Sequence, residues 1–123
     1  MNSKVFMALR ILLGGFVLVF GLNKFLHFIP FGEMSAEAGA YFAALASAKV
    51  ITLVGIVEIV AGLALIFNKF GALLALILMS ISVNAVLFHL TLDPANSAGA
   101  IVLLVLNIIA LIGYKDKYKA LLS

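Results

Sequence analysis

VITLVGIVEIVAGLALIF, at Val50–Phe67, is a long hydrophobic run in which Glu58 is the one charged side chain. A helix of this length measures about 27 Å at 1.5 Å per residue, close to the ~30 Å thickness of the hydrocarbon core of a bilayer. The run therefore predicts a membrane-spanning helix that carries a charge inside it.

Three further apolar runs, at about 5–29, 70–92 and 98–114, surround this one. As helices they measure about 37, 34 and 26 Å, so each can cross the hydrocarbon core, the longer ones with some tilt. The first run is too long to be the apolar region of a cleaved signal peptide. We expect four spans in a single domain that covers residues 1–123.

The composition agrees with a lipid environment. Hydrophobic residues make up 66% of the 123 positions and charged residues 11%, against about 45–50% and 25% in soluble domains. The lipid bilayer is thus the first expected partner. The net charge of +3 does not indicate nucleic acid, because the basic residues fall in terminal and inter-helix segments. The absence of cysteine excludes a disulfide and a thiolate metal site within this chain.

The distribution of basic residues predicts the orientation of the spans. In a four-span arrangement Lys24 and Lys49 fall on one side, and the other six fall on the opposite side: Lys4, Arg10, Lys69, Lys115, Lys117 and Lys119. The side richer in lysine and arginine is the cytoplasmic side. The sequence therefore predicts an all-α integral membrane four-helix bundle with both termini inside.

A polar interruption between residues 30 and 49 predicts a short interfacial helix at about 36–47. Ser35 can cap this helix and Glu37 suits its first turn. Its apolar residues at helical spacing are Ala38, Tyr41, Phe42 and Leu45. Two roles are open: a link that lies in the headgroup region, and a lid over an outward-facing cavity.

Six polar residues within the predicted spans are candidate ligand-binding residues, because a charged or polar group in hydrocarbon calls for a partner or a function. They are Lys24, His27, Glu58, Asn84, His89 and Asn107. In the predicted orientation they lie in the outer half of the membrane or near its middle. The polarity of the spans is therefore one-sided.

Glycine spacing indicates where the two charges point. Lys24 shares a helix face with Gly14 and Gly21, and Glu58 shares one with Gly55 and Gly62. Small residues mark close contacts between membrane helices. We expect both charges to face the interior of the bundle and to form an ion pair.

Two interpretations of these polar residues remain open. They fix the register of the helices, or they line a pocket for a lipid headgroup, a quinone ring or a small polar ligand. His27 and His89 do not belong to a metal-binding motif, so we expect no metal or haem site.

Several motifs give the chain a family resemblance. They are Arg10 leading into residues 12–15, FGLNKF at 20–25, VEIVAG at 57–62, SVN at 82–84 with FHL at 88–90, and YKDKY at 114–118. With these motifs the chain resembles the DoxX-like membrane proteins over nearly its whole length.

The resemblance implies a four-helix membrane fold. The family takes its name from a small subunit of a thiosulfate:quinone oxidoreductase, and related members are linked to membrane oxidoreductase complexes in bacteria. Distant eukaryotic relatives such as NACHO act as chaperones for membrane receptors. Lys24, Glu58, Asn84 and His89 match the polar pattern of the family. The lack of cysteine departs from the similar bundles of vitamin K epoxide reductases.

The leading hypothesis is a membrane subunit or ligand-binding bundle for a quinone-like or other amphipathic molecule, in an oxidoreductase-linked system of a bacterial inner membrane. The sequence does not identify a cofactor, and a quinone is one candidate. The alternative is a membrane chaperone or assembly factor without catalytic activity, held to a membrane protein partner or to further copies of itself. A proton or solute pathway is less favoured, because the inner half of the spans lacks polar residues.

Overall fold

The computed structural model describes residues 1–30 and 32–123, and every regular element within them is helical. The helices are α1 (Ser3–Leu26), α2 (Ala36–Ser47), α3 (Val50–Phe67), α4 (Gly71–Leu92), α5 (Ala98–Gly113) and the short α6 (Lys119–Leu122). Single 3-10 turns at Pro94–Asn96 and Lys115–Tyr118 precede α5 and α6.

Helices α1, α3 and α4 are each long and apolar enough to cross a membrane. A fourth span is present if α5 and the segment Lys115–Leu122, which meet at an angle of 73°, are counted together. The protein is therefore an all-helical membrane protein with three or four candidate spans.

Helix α1 ends at Leu26, three residues before the end of the predicted run at 29. His27 has a φ of 53°, a left-handed conformation that ends a helix. The side chain of Asn23 then accepts a hydrogen bond from the backbone N–H of Ile29 and donates one to its carbonyl, at 2.7 and 3.0 Å. The chain leaves the helix because Asn23 replaces the missing helical partners of Ile29.

The packing of the four long helices positions the site. Helix α1 packs along α3 and α5, and α4 packs along α3 and α5, while α2 rests on α3 and α4. The short link between α3 and α4 turns through two left-handed residues, Asn68 and Phe70. Buried residues from all four long helices form the core: Leu13, Val17, Ala61, Leu65, Ala75, Leu78, Leu103 and Ala110.

Helix α2 begins where its capping residue predicts. The hydroxyl of Ser35 accepts a hydrogen bond from the N–H of Ala38 at 3.1 Å and donates one to the carbonyl of Leu92 at 3.0 Å. The first bond caps α2, and the second ties it to the end of α4. Ala38 is fully buried.

Candidate functional site: a charged pair in an apolar cavity

Glycines bring α1 and α3 into close contact beside the two charges. A β-carbon added to Gly21 would lie 2.9 Å from Cβ of Glu58, and one added to Gly55 would lie 3.2 Å from Cβ of Lys24. Only residues without a side chain permit this approach of two helix backbones. We call this close contact of α1 and α3 the glycine seam. It holds Lys24 and Glu58 side by side.

The ion pair expected from the glycine faces is present. Nζ of Lys24 lies 2.5 Å from Oε1 of Glu58, and the two side chains are 16% and 5% exposed. A carboxylate as deeply buried as that of Glu58 is strongly destabilising without a partner. Lys24 supplies that partner.

A cavity of about 720 Å³ lies beside this pair. Its walls come from α1, α2, α3, α4 and α5, and most of them are apolar. The aromatic residues of the lining are Phe16, Phe20, Tyr41, Phe42 and Phe88. Of the six predicted site residues, four line it: Lys24, Glu58, Asn84 and His89.

The other two predicted site residues lie elsewhere. His27 is exposed at the end of α1. Asn107 is fully buried, accepts a hydrogen bond from the Ser82 hydroxyl at 2.7 Å and donates one to the carbonyl of Ala75 at 3.1 Å. Asn107 thus joins α5 to α4 inside the core.

Asp93 and Asn96 add polar groups to the cavity lining that the candidate set did not include. Asp93 is 5% exposed, and its Oδ2 lies 3.2 Å from Nδ1 of His89. The side-chain amide of Asn96 donates to both oxygens of Asp93, at 2.9 and 3.2 Å. The separation of His89 and Asp93 by four residues, which places them on one helix face, is the sequence signal for this pair.

Arg10, which the count of basic residues placed on the predicted cytoplasmic side, is a further buried charge. It is 8% exposed, and its Nη1 donates to the carbonyls of Leu65 and Ile66 at 2.6 and 3.0 Å. These carbonyls belong to the last turn of α3 and have no partner within that helix. Arg10 therefore caps α3 far from the cavity.

The described part of the chain, residues 1–30 and 32–123, contains no group of three or more His, Cys, Asp or Glu residues that could hold a metal ion. The chemistry available at the cavity is that of a lysine, two carboxylates, a histidine and amide groups against aromatic walls. These groups can donate to and accept from a polar ligand atom while the walls hold an apolar body.

Comparison with protein families gives one match: the DoxX family model matches residues 5–91. No curated protein and no solved structure matches the chain. The matched segment includes Lys24, Glu58, Asn84 and His89, and it ends before Asp93.

Proposed function

The chain belongs to the DoxX family, and on that premise we propose that this multi-pass membrane protein binds an amphipathic ligand, such as a quinone, in the cavity beside Lys24 and Glu58. The observation that carries the proposal is a buried ion pair in the wall of a mainly apolar cavity of about 720 Å³. This volume falls within the range of about 300–1,000 Å³ that small-molecule sites occupy.

The polar groups suit a ligand with an oxygen-bearing head. The ammonium group of Lys24 can donate to a carbonyl or phenolate oxygen, while the ion pair with Glu58 holds that ammonium group in place. Asn84 and His89, from α4, face the same cavity. The aromatic side chains suit a planar ring or a hydrocarbon chain.

The proposal assigns binding to this chain and the redox step to a partner. The sequence has no cysteine, so a thiol cannot carry electrons here. A membrane subunit that holds a quinone for an oxidoreductase partner fits both this lack and the implication of the family resemblance.

Equilibrium binding of a short-chain benzoquinone analogue to the purified protein in nanodiscs tests the proposal. We expect the wild type to bind it and Glu58→Gln to bind it at least tenfold more weakly, because the amide leaves Lys24 without its counter-charge. Glu37→Gln, which changes an exposed glutamate of α2 outside the cavity lining, is the matched control. No binding by the wild type, or equal binding by all three proteins, contradicts the proposal.

We also propose that the chain forms a four-helix bundle with both termini on the cytoplasmic side of a bacterial inner membrane, which places the cavity in the outer half. The chain has no cysteine, so single cysteines report their own side without further changes. In spheroplasts, an impermeant maleimide should label Glu37→Cys directly and Ser123→Cys only after the membrane is permeabilised. The reverse pattern contradicts this orientation.

A further inference from the structure

One end of the cavity is covered by a segment that contacts α1 and α4 at several points. We use the term roof for α2 together with residues 29–30 and 32–35. Asn23 of α1 holds Ile29 through two hydrogen bonds, at 2.7 and 3.0 Å. Ser35 donates to the carbonyl of Leu92, at the end of α4, at 3.0 Å. These bonds attach the roof to α1 and to α4.

Two more contacts hold the roof on the side of α4. The side-chain amide of Asn96, which binds Asp93, also donates to the carbonyl of Glu33 at 3.1 Å. The ring of Tyr41 stacks on that of Phe88, with centroids 5.4 Å apart. Opening the roof would break these polar and aromatic contacts, so this end of the cavity is closed by specific interactions.

The side of the cavity between α3 and α4 has a different character. Near the link between these helices their small and apolar residues are buried, as at Ala61 and Ala75. The α3 residues that line the cavity all lie between Val50 and Glu58, and among them Leu53 is 60% exposed. On α4, the lining residue Ile77 is 42% exposed. Cavity-lining residues of both helices therefore lie at the molecular surface along this edge.

Two polar side chains lie at this edge. Ser80 and Asn84 are exposed, line the cavity and stand one helical turn apart on α4. The Ser80 hydroxyl donates to the carbonyl of Ile77, and the Asn84 amide donates to the carbonyl of Ser80, each at 2.8 Å. Neither polar group is paired with another helix by these bonds. Polar side chains within a membrane span are costly, so their position at an exposed edge of the cavity makes this edge a candidate functional surface.

We propose that the ligand enters the cavity sideways from the bilayer, through the gap between α3 and α4 that Leu53, Ile77, Ser80 and Asn84 border. The ligand is therefore a membrane-dissolved lipid with a hydrocarbon or isoprenoid chain. This inference rests on the proposed function and adds the route and the class of ligand. The polar head passes Ser80 and Asn84 to reach Lys24, and the chain stays in the gap against Leu53 and Ile77.

A single tryptophan tests the route, because the chain contains no tryptophan. Phe88→Trp places the reporter in the cavity lining, and Leu73→Trp places it on an exposed position of α4 outside that lining. In nanodiscs made with phosphatidylcholine brominated in its acyl chains, we expect both tryptophans to be quenched. Val57→Trp, also in the lining, serves as the second cavity reporter if Phe88→Trp does not fold.

Blocking the gap provides the decisive comparison. Ser80→Cys, labelled with a bulky apolar maleimide in the Phe88→Trp background, should lower quenching by the brominated lipid several-fold. The same label on Leu73→Cys should leave it unchanged. Quenching by aqueous acrylamide without quenching by the brominated lipid, quenching by neither, or quenching that survives the Ser80 label would each overturn the proposal.

These outcomes are independent of the quinone test. Lipid quenching that the Ser80 label removes supports the lateral route even if the benzoquinone analogue does not bind. Conversely, if the analogue binds Ser80→Cys at the same rate with and without the label, the proposed function stands and the lateral route fails.

Discussion

Arg10 and Glu58 are both buried charges at the contact between α1 and α3, and they lie toward opposite ends of it. At the arginine end, formed by Arg10 with Asn68, Tyr114 and Tyr118, the charged group donates hydrogen bonds to backbone carbonyls of α3. At the cavity end, formed by Lys24, Glu58 and the cavity, the charge of Glu58 has a side-chain partner and borders the cavity.

The polar groups around the two charges differ in the same way. The hydroxyl of Tyr114 donates to Oδ1 of Asn68 at 2.7 Å, and that of Tyr118 donates to the carbonyl of Ala72 at 2.8 Å. The ring of Phe6 packs edge-on against Tyr114, with centroids 4.9 Å apart. These bonds join helices to each other, whereas Ser80 and Asn84 at the cavity end bond only within their own helix. The comparison indicates that a buried charge is a candidate binding site where a cavity and polar groups without partners on other helices lie beside it.

The largest expected effect comes from removing the lysine at the cavity end. Lys24→Met leaves the carboxylate of Glu58 buried without a counter-charge, which should lower the free energy of unfolding by about 3 kcal/mol. Unfolding by sodium dodecyl sulfate in mixed micelles measures this change. Ligand binding should be lost as well, because the same lysine faces the cavity.

The double variant Lys24→Met/Glu58→Leu is the control. Replacing both members of a buried pair by apolar residues is often neutral, so most of the stability should return while binding does not. If the single and double variants are equally unstable, the ion pair does not explain the loss.

At the arginine end the expected effect is smaller and confined to stability. Arg10→Met removes two hydrogen bonds from a charged donor to otherwise unpaired carbonyls, and we expect a loss of about 2 kcal/mol. The same unfolding measurement applies, together with binding of the benzoquinone analogue, which should be unchanged.

Arg10→Lys is the matched variant. It keeps the positive charge near the C-terminal end of α3 but lacks the forked guanidinium group. Its stability should therefore fall between those of the wild type and Arg10→Met. A loss of binding in Arg10→Met without a loss of stability would remove the distinction between the two ends.

The sequence predicted the cavity end better than the arginine end for a physical reason. Glycines at helical spacing imply a close contact, and a close contact determines which faces of α1 and α3 meet; the pair of Lys24 and Glu58 follows from this. The partners of Arg10 are backbone carbonyls. Every residue has one, so no residue type in the sequence identifies them. A long side chain near a helix terminus resembles any charge that marks the cytoplasmic side.

The sequence suggested a pocket as one of two interpretations, but it did not determine the size of the cavity, for a related reason. The volume depends on how far α3 and α4 separate after their link, and on how α2 lies across them, and neither is encoded in a periodic pattern. Asn84 and Asn107 illustrate the limit. Both are asparagines in apolar helices, but one is exposed at the edge of the cavity and the other is fully buried between α4 and α5.

The smallest expected effect tests the glycine seam that joins the two ends. In Gly21→Ala the new methyl group would lie 2.9 Å from Cβ of Glu58 and 3.0 Å from the carbonyl oxygen of Gly55. Moving α1 away from α3 to relieve this overlap costs about 1–3 kcal/mol. Alanine favours a helix over glycine by about 1 kcal/mol, so the net loss should be about 1 kcal/mol.

Gly15→Ala separates these two contributions, because nothing lies within 4 Å of a β-carbon at that position. It should gain the helix preference alone, so its unfolding free energy should equal or exceed that of the wild type. The difference between the two variants then measures the overlap at the seam. Since that overlap displaces Glu58, Gly21→Ala should also weaken binding of the benzoquinone analogue. If Gly21→Ala is as stable as Gly15→Ala and binds as well as the wild type, the close approach of α1 and α3 does not position the charged pair.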